Sequence, residues 1–433
     1  LLKNTKNSPI MGENAFNRLC LCIKGGLEDK LVNDGNKYPL TAFTLPSVLG
    51  GGSFVILMPF INFYYQLIFF LFMQMSVAAL LAIPLYHLFI IPQNEKKNSM
   101  IEMSTSYLVG LGIIFPIILY EPIMVIQYLN IENLAIKMII LSLATTGSLR
   151  CIEVMVGNTP HGAKKSIQSF ILYFSCLMGL SFDKEQQQPR RISRKYLKTQ
   201  ITKLVRDHII FIPLLSFLKA KNYMIFHTGF EVDSIDHTFW DLLSWKHLLN
   251  NYFAALLLSV SLSESTIAVS IIYNMSHGYE TIEVIQNPML KSTSPTDFWG
   301  RRWNVLVHTL LKSSTFKPVR RYYSRTLAVL ATFFISGLLH EYINFVLLSE
   351  IRMSVQWKNM IFFMWNGIII FLESMISHWM IFQWMGRRLP KIIISSLVIL
   401  TALPFGHLFT GEFIRGGYFD HVSMGNPTIV KID

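Results

Sequence analysis

The chain has 433 residues, of which 52% are hydrophobic and only 15% are charged, and its mean hydropathy is +0.41. Soluble globular chains carry about 25% charged residues, so this composition excludes an ordinary soluble domain and indicates many membrane-spanning segments. The net charge is +12. We interpret it as the cytosolic-face bias of a membrane protein rather than as nucleic-acid binding, because the basic residues flank apolar runs.

The cysteines and the N-terminal region bear on cofactors and domain organisation. Cys20, Cys22, Cys151 and Cys176 form no paired metal-ligand pattern, so the sequence predicts neither a zinc site nor a disulfide framework. We expect no metal and no bound cofactor. Residues 1–48 are polar and lack the basic-then-apolar order of a signal peptide. They are predicted to be an extramembrane lead-in to a membrane domain over residues 49–433.

Apolar segments recur through the predicted membrane domain at lengths that suit helical spans of roughly 20 residues. A short interfacial piece up to Pro59 comes first, and residues 208–219 are long enough for only about half a span. No segment alternates like a barrel strand. The sequence predicts one all-α polytopic domain of roughly eight to ten spans. The candidate spans lie near 62–91, 105–126, 134–150, 166–182, 247–273, 325–349, 358–384 and 390–411.

Two basic stretches interrupt the apolar pattern, over residues 186–206 and 298–325, and neither contains an acidic residue. The positive-inside rule places both on the cytosolic side, so an even number of crossings must separate them. Only 247–273 is a clear span between them. Either 208–230 also crosses or the rule fails for one stretch. Contact with lipid headgroups is the simplest interpretation of 186–206, whereas the second stretch also contains aromatic and neutral polar residues.

The stretch SPTDFWGRRWNVLVHTLLK, residues 294–312, concentrates polar and aromatic residues in an otherwise apolar chain. A helix over 299–312 places Arg301, Asn304 and His308 on one face, and Lys312 continues it. An amide and an imidazole beside cations suit a phosphate-bearing ligand with an apolar end. An interfacial helix with an aromatic belt fits this spacing equally well.

A second polar position lies inside the apolar run 327–348, where His340 and Glu341 are adjacent. An ionisable residue at membrane depth costs roughly 2.5–3.5 kcal/mol on insertion scales and usually faces the protein interior or a wet cavity. Ser336, His340 and Asn344 form one polar stripe, four residues apart. The stripe indicates either a buried general base, a common role of histidine, or hydrogen bonding between helices.

Three motifs together resemble the membrane-bound O-acyltransferases: DFWGRRWN (297–304), FKPVRR (316–321) and FFISGLLHEYIN (333–344). The first is similar to the signature of the wax synthase branch. The resemblance implies a helical bundle that encloses an intramembrane reaction chamber, with His340 as the catalytic histidine and Asn304 as its partner. Further substrate-binding candidates in these motifs are Asp297, Trp299, Arg301, Arg302, Trp303, His308 and Glu341.

The implied reaction moves an acyl group from acyl-CoA to a lipidic alcohol, and a long-chain alcohol as acceptor would give a wax ester. His340 is expected to take the alcohol proton and Asn304 to donate a hydrogen bond to the developing oxyanion. The arginines at 301 and 302, with Lys317 or Arg320, are expected to hold CoA phosphates. Diacylglycerol and sterol acyltransferases carry FYxDWWN where this chain reads VIQNPML (284–290). This departure favours the wax synthase branch, and diacylglycerol or a sterol or terpenoid stays open as the alternative acceptor.

A different class of function stays open, namely a catalytically degenerate homologue that serves as a scaffold subunit of a membrane complex, with residues 1–48 as a docking arm. The expected partners are acyl-CoA, a lipidic alcohol and membrane lipids, without nucleic acid. A homo-oligomer or a larger complex is open. The endoplasmic reticulum is the family expectation, and another organelle membrane is the alternative. The enzyme hypothesis requires His340 and Asn304 to face one internal cavity.

Overall fold

Helices dominate the computed structural model, which describes residues 40–46, 53–59, 61–95, 100–183, 185, 187–228, 238–348, 357–419 and 427–432. Six of them are long and apolar enough to cross a membrane, and a seventh span results if one bent pair, with a bend of 44°, is counted as one. The predicted all-α polytopic class is confirmed. The six helices are Ile61–Glu95, Ser104–Tyr128, Leu134–Met155, Trp245–His277, Arg325–Leu347 and Lys358–Ile376, and the bent pair joins Lys391–Leu400 to Leu403–Arg415.

The first half of the chain forms ten helices within the described residues. The segments Tyr86–Ile90 and Gly110–Ile114 are single π-helical turns that continue the helices around them. The segment predicted to span near 166–182 contains a nine-residue helix, which reaches only about 14 Å. The helices are α1 (Ile61–Leu85), α2 (Ile91–Glu95), α3 (Met100–Val109), α4 (Phe115–Tyr128), α5 (Leu134–Met155), α6 (His161–Lys164), α7 (Ile167–Ser175), α8 (Arg194–Ala220), α9 (Phe239–Leu242) and α10 (Trp245–His277).

The second half, from residue 288 onward, contains nine more helices among the described residues. Two further π-helical turns, Phe298–Arg302 and Lys312–Phe316, lie inside the polar stretch 294–312 or overlap its end, and a 3-10 turn covers Leu403–Phe405. The helices are α11 (Pro288–Lys291), α12 (Pro295–Asp297), α13 (Val305–Leu311), α14 (Lys317–Tyr322), α15 (Arg325–Leu347), α16 (Lys358–Ile376), α17 (Met380–Arg388), α18 (Lys391–Leu400) and α19 (His407–Arg415).

Polar side chains fix where several of these helices begin. The side chains of Asn133, Ser193 and Ser324 each accept a hydrogen bond from the backbone N–H three residues ahead, at 3.1 Å. These bonds satisfy backbone donors that lack a partner in the first helical turn. Each of the helices α5, α8 and α15 therefore begins after an asparagine or serine, residue types that are favoured at helix N-termini.

One small antiparallel sheet accompanies the helices, in the order β1 (Leu40–Pro46), β2 (Ser53–Pro59) and β3 (Thr428–Ile432). The backbone N–H of Ile429 donates to Ser216 Oγ at 3.0 Å, so the sheet is tied to α8. The piece up to Pro59 that we predicted as interfacial thus ends in a central strand. Of the predicted lead-in, residues 1–39 and 47–48 lie outside the described residues.

Helix α8 runs antiparallel along α10, and this arrangement bears on the two basic stretches. At one end, Ile192 N donates to Gly278 O at 3.0 Å; at the other, Phe226 N donates to Asn250 Oδ1 at 3.1 Å. Halfway along, Ser263 Oγ donates to an Asp207 carboxylate oxygen at 2.6 Å. Residues 187–206 of the first basic stretch therefore lie at the end of the molecule where α10 finishes, and that end also leads into stretch 298–325.

Helices α15 and α16 form the antiparallel pair that positions the site. A Cβ added at Gly337 would lie 2.9 Å from Met360 Sδ, and one at Gly367 would lie 3.2 Å from Phe333 Cβ. Both glycines thus allow the two helices to approach closely. Since α16 returns beside α15, its C-terminal half lies next to the N-terminal half of α15, on one side of the segment 294–316.

Candidate active site

A cavity of about 610 Å³ lies between α15, α16 and residues 294–316, which we call the signature segment. Its volume falls within the range of small-molecule sites, roughly 300–1,000 Å³. The cavity reaches from Arg325, in the first turn of α15, to His340 in the same helix, a distance of roughly 22 Å along the axis. His340 and Asn304 both line it, so the structure brings together the two residues that the resemblance pairs.

The imidazole of His340 is held in one orientation by the helix and by aromatic rings. Its Nδ1 lies 2.7 Å from the carbonyl oxygen of Ser336, one turn earlier. The ring stacks on Phe363 with centroids 4.3 Å apart and meets the edge of Phe409 at 5.2 Å. Since a carbonyl oxygen only accepts, Nδ1 must carry the proton of this bond. In the neutral imidazole, Nε2 then has the lone pair that a base requires.

Asn304 begins helix α13 and divides its side chain between two tasks. Its Oδ1 accepts from Val307 N at 3.0 Å, which caps the helix. Its Nδ2 has no hydrogen-bond partner among the described residues, and Asn304 lines the cavity. The amide nitrogen can therefore donate to a ligand, while the amide oxygen holds the residue in place.

The continuous helix predicted over 299–312 is wrong. The π-helical turn Phe298–Arg302 ends at Trp303, and Asn304 adopts φ −153° and ψ 88° before α13 begins. The helical stripe is therefore interrupted, because a capping residue has a non-helical backbone. Asn304, His308 and Lys312 still line the cavity, whereas Arg301 does not. The side chain of Arg301 is 77% exposed.

Asp297 and Arg302 form an ion pair that supports the signature segment outside the cavity lining. Arg302 Nε donates to Asp297 Oδ2 at 2.6 Å, and the same carboxylate accepts from Thr293 N at 3.1 Å. Burial alone would raise the pKa of Asp297, but the Arg302 and Thr293 hydrogen bonds and the Arg302 charge outweigh it and lower that pKa. The Arg302 guanidinium therefore contacts the Asp297 carboxylate and does not line the cavity.

The two tryptophans of the motif line the cavity and fasten its walls. Trp299 Nε1 donates to Asn366 Oδ1 on α16 at 3.0 Å. Trp303 stacks on Phe298, with centroids 5.3 Å apart and planes 20° from parallel. Each ring thus presents apolar area to the cavity while a second contact fixes its position.

Glu341 follows His340 in sequence but does not line the cavity. It is 3% exposed, and its Oε1 accepts from the backbone N–H of Asn359 at 2.8 Å and of Met360 at 3.3 Å. These donors belong to the first turn of α16, so the carboxylate caps that helix and joins it to α15. The contacts of Glu341 are structural.

Three basic or titratable side chains lie toward the Arg325 end of the cavity: His308, Lys312 and Arg325. Burial, followed by the charge of Lys312, lowers the pKa of His308. A Cβ added at Gly300 would lie 3.6 Å from His308 Cε1, so the glycine is in contact with this ring. The cations that meet the cavity are therefore Lys312 and Arg325, not the predicted Lys317 or Arg320.

Sequence reasoning missed three residues that shape the cavity. Phe363 supports His340, and an aromatic residue in an apolar run carries no signal of that role. Asn366 and Glu373 are polar positions within the apolar run of α16, which is the signal that could have identified them. Glu373 lines the cavity and accepts from Thr296 N at 2.8 Å and Thr296 Oγ1 at 2.6 Å. Two side chains of α16, Asn366 and Glu373, thus hold the signature segment through hydrogen bonds.

Metal chemistry was not expected for this chain. Among the described residues, no group of three His, Cys, Asp or Glu side chains could hold a metal ion. Cys151 and Cys176 are buried free thiols, and neither lines the cavity. The polar groups that line the cavity are hydroxyl, amide and imidazole groups, the cations Lys312 and Arg325, and the carboxylate of Glu373.

Comparison with known proteins identifies relatives of this chain. Residues 283–365 match the membrane bound O-acyl transferase family. The chain is 30% identical over 176 residues to a probable long-chain-alcohol O-fatty-acyltransferase 9 of Arabidopsis thaliana, covering 38% of this chain and 49% of the relative. It is 34% identical over 132 residues to acyl-CoA–sterol O-acyltransferase 1 of Arabidopsis thaliana, covering 29% and 36%.

A third relative comes from another plant. The long-chain-alcohol O-fatty-acyltransferase of Simmondsia chinensis is 32% identical over 166 residues, covering 36% of this chain and 45% of the relative. The chain thus spans about half or less of the length of these relatives. The matched family region contains Asn304, His308 and His340 and most of the cavity wall. The predicted resemblance is therefore confirmed: residues 283–365 match the membrane-bound O-acyltransferase family, and the chain is similar to relatives named long-chain-alcohol O-fatty-acyltransferases.

Proposed function

We propose that this protein transfers a fatty acyl group from acyl-CoA to a long-chain alcohol inside the membrane, with His340 as the general base. The observation that carries the proposal is the cavity shared by His340 and Asn304. The Ser336 carbonyl selects the imidazole tautomer that leaves Nε2 as an acceptor, and the Asn304 cap leaves Nδ2 as a donor. One acceptor and one donor in a common cavity are what acyl transfer requires.

The reaction follows from these two groups. The alcohol gives its proton to His340 Nε2 as its oxygen attacks the thioester carbon. Asn304 Nδ2 donates to the carbonyl oxygen as negative charge develops there. As the tetrahedral species collapses, the C–S bond breaks, and the proton held by His340 passes to the CoA sulfur. The products are an ester and free CoA, without a covalent enzyme intermediate.

The cations of the cavity indicate the direction of the donor. Arg325 lies roughly 22 Å from His340 along α15, and Lys312 lines the same cavity. Phosphates held by these cations leave the pantetheine arm to reach the base. The same end carries the basic stretch 298–325, which the positive-inside rule assigns to the cytosolic side. Water-soluble acyl-CoA would therefore enter from the cytosol, and the endoplasmic reticulum stays the expected membrane.

Two alternatives compete with this proposal. A degenerate scaffold subunit would not need an open cavity beside an intact His–Asn pair, so the open cavity favours the enzyme. A sterol acceptor is the second candidate, since one relative is named an acyl-CoA–sterol O-acyltransferase. Both acceptors are lipidic alcohols and use the same chemistry at His340, so acceptor choice is an experimental question.

The test is product analysis by mass spectrometry. Membranes containing the protein receive labelled acyl-CoA with a long-chain alcohol, a sterol or diacylglycerol. We expect labelled wax ester to exceed the products of the other acceptors. A steryl ester as main product would assign the sterol reaction. An absence of any labelled ester, with the protein folded and present, would reject the enzyme and support the scaffold.

A further inference from the structure

A second cavity, of about 560 Å³, lies outside the proposed active site, beside the first basic stretch. The N-terminal end of α7, the residues 187–191 and Tyr279 form its walls. Among its lining residues are the cations Lys165 and Arg191 and the hydroxyl groups of Ser166, Ser169 and Tyr279. None of the described residues that line it is acidic. Cations and hydroxyl donors without a carboxylate favour a compact anion.

The walls of this second cavity are held by several backbone contacts. Phe182 pairs with Pro189 and Arg191 pairs with Tyr279, both as antiparallel bridges. The Arg191 guanidinium lies over the Tyr279 ring, 5.0 Å from its centroid. A Cβ at Gly162 would lie 2.3 Å from Gln187 O, so the loop packs directly on α6. The cationic groups are thus presented by a preformed pocket rather than by a loose loop.

We propose that this second cavity binds the phosphate of an anionic phospholipid headgroup, such as that of phosphatidate. Its position supports a lipid source for the phosphate. Basic residues Arg194, Lys195 and Lys198 follow in the first turns of α8, at the end that the positive-inside rule assigns to the cytosol. The cytosolic leaflet is where anionic lipids concentrate, and Leu172 adds an apolar side chain to the lining.

The occupied pocket would also support the signature segment, because one stretch of chain joins the two. Residue Glu280 donates its N–H to Arg190 O at 2.8 Å at the second cavity. Four residues later, Val284 O accepts from Val305 N at 2.9 Å, next to Asn304. Gln286 N also donates to Arg302 O at 2.9 Å. An anion that fixes Arg191 and Tyr279 therefore also supports the extended segment 280–286 that holds the start of α13.

The test compares binding of labelled phosphatidate to purified full-length protein in bilayers of phosphatidylcholine. The double variant Lys165→Ala/Arg191→Ala removes both cations of the pocket. The control Lys195→Ala/Lys198→Ala removes two exposed cations of the adjacent basic run that do not line it. We expect roughly 30-fold weaker binding by the pocket variant, at about fivefold per lost hydrogen bond to the phosphate, and near wild-type binding by the control. Equal losses in both would show diffuse surface attraction and overturn the pocket.

Two further arms keep the result interpretable. Lys165→Glu leaves the Arg191–Tyr279 contact in place, so it should lower binding even if the double variant unfolds. Soluble CoA or inorganic phosphate that displaces phosphatidate with the same variant dependence would assign the pocket to a soluble phosphate ligand and overturn the lipid. The influence on acyl transfer rests on the proposed function, whereas lipid binding does not. His340→Ala should therefore lower ester formation by roughly 10²–10⁴-fold and still bind phosphatidate, which separates failure of one proposal from failure of the other.

Discussion

Two groups of polar residues in the same motif region differ in where their side chains go. Asn304, His308 and His340 line the cavity. Asp297 and Glu341, by contrast, are engaged with backbone amides or with an arginine away from it. A carboxylate beside an imidazole favours its charged form. Because Glu341 caps α16, its negative charge stays out of the lining near the proposed base. The motif thus separates a charged frame, made of Asp297, Arg302 and Glu341, from the imidazole and amide groups that line the cavity.

The strongest way to break this comparison is to remove the imidazole. His340→Ala should lower ester formation by roughly 10²–10⁴-fold, because the alcohol then lacks its proton acceptor. The measurement is labelled ester formed per amount of protein in membranes. His378→Ala is the matched control, since that histidine is exposed and lies outside the cavity lining. Comparable activity of the two variants would show that His340 belongs to the frame.

Asn304 combines both roles in one side chain, so a substitution can separate them. Asn304→Ser keeps a good helix-capping oxygen but loses the amide donor. We expect turnover to fall by about 10²–10³-fold with thermal unfolding near that of the wild type. Asn304→Ala should lose the same activity and also about 1 kcal/mol of stability. If the serine variant turns over normally, the amide of Asn304 does not contact the reacting oxygen.

Arg302 and Arg301 test the frame itself, because they are adjacent and differ in their contacts. Arg302→Ala leaves the buried Asp297 carboxylate without its guanidinium and should cost about 1–3 kcal/mol of stability. Arg301→Ala should stay within about 0.5 kcal/mol, since its side chain is 77% exposed and 3.8 Å from Asp297. Thermal unfolding in detergent measures both. If Arg301→Ala weakens acyl-CoA binding more than Arg302→Ala does, Arg301 has its predicted role at the CoA phosphates.

The features of the fold and the site that could be predicted from the sequence are those that depend on neighbouring residues in the chain. The polar stripe around His340 and the charge-poor spans follow from residue type and spacing, so the helical membrane fold was accessible from the sequence. The destination of Arg302 was not, because DFWGRRWN gives no sign of which arginine meets Asp297. Lys312 and Arg325 line one cavity because α13 and α15 pack beside it, and the sequence alone does not indicate that packing. The strand Ser53–Pro59 needed its partner β3, which follows more than 360 residues later.

Acid pH offers the mildest test of the frame. The pKa of Asp297 is lowered in the folded protein, so its contribution to stability is fully present above the unfolded value of about 3.9. That contribution is lost as pH falls through the still lower folded pKa. Asp297→Asn should therefore be less stable than the wild type at neutral pH, and the difference should shrink toward pH 3. Thermal unfolding of both proteins across this pH window measures the difference. A stability difference between the two proteins that does not change with pH would mean that the charge of Asp297 contributes nothing to stability. Arg302 would then be held by hydrogen bonding alone.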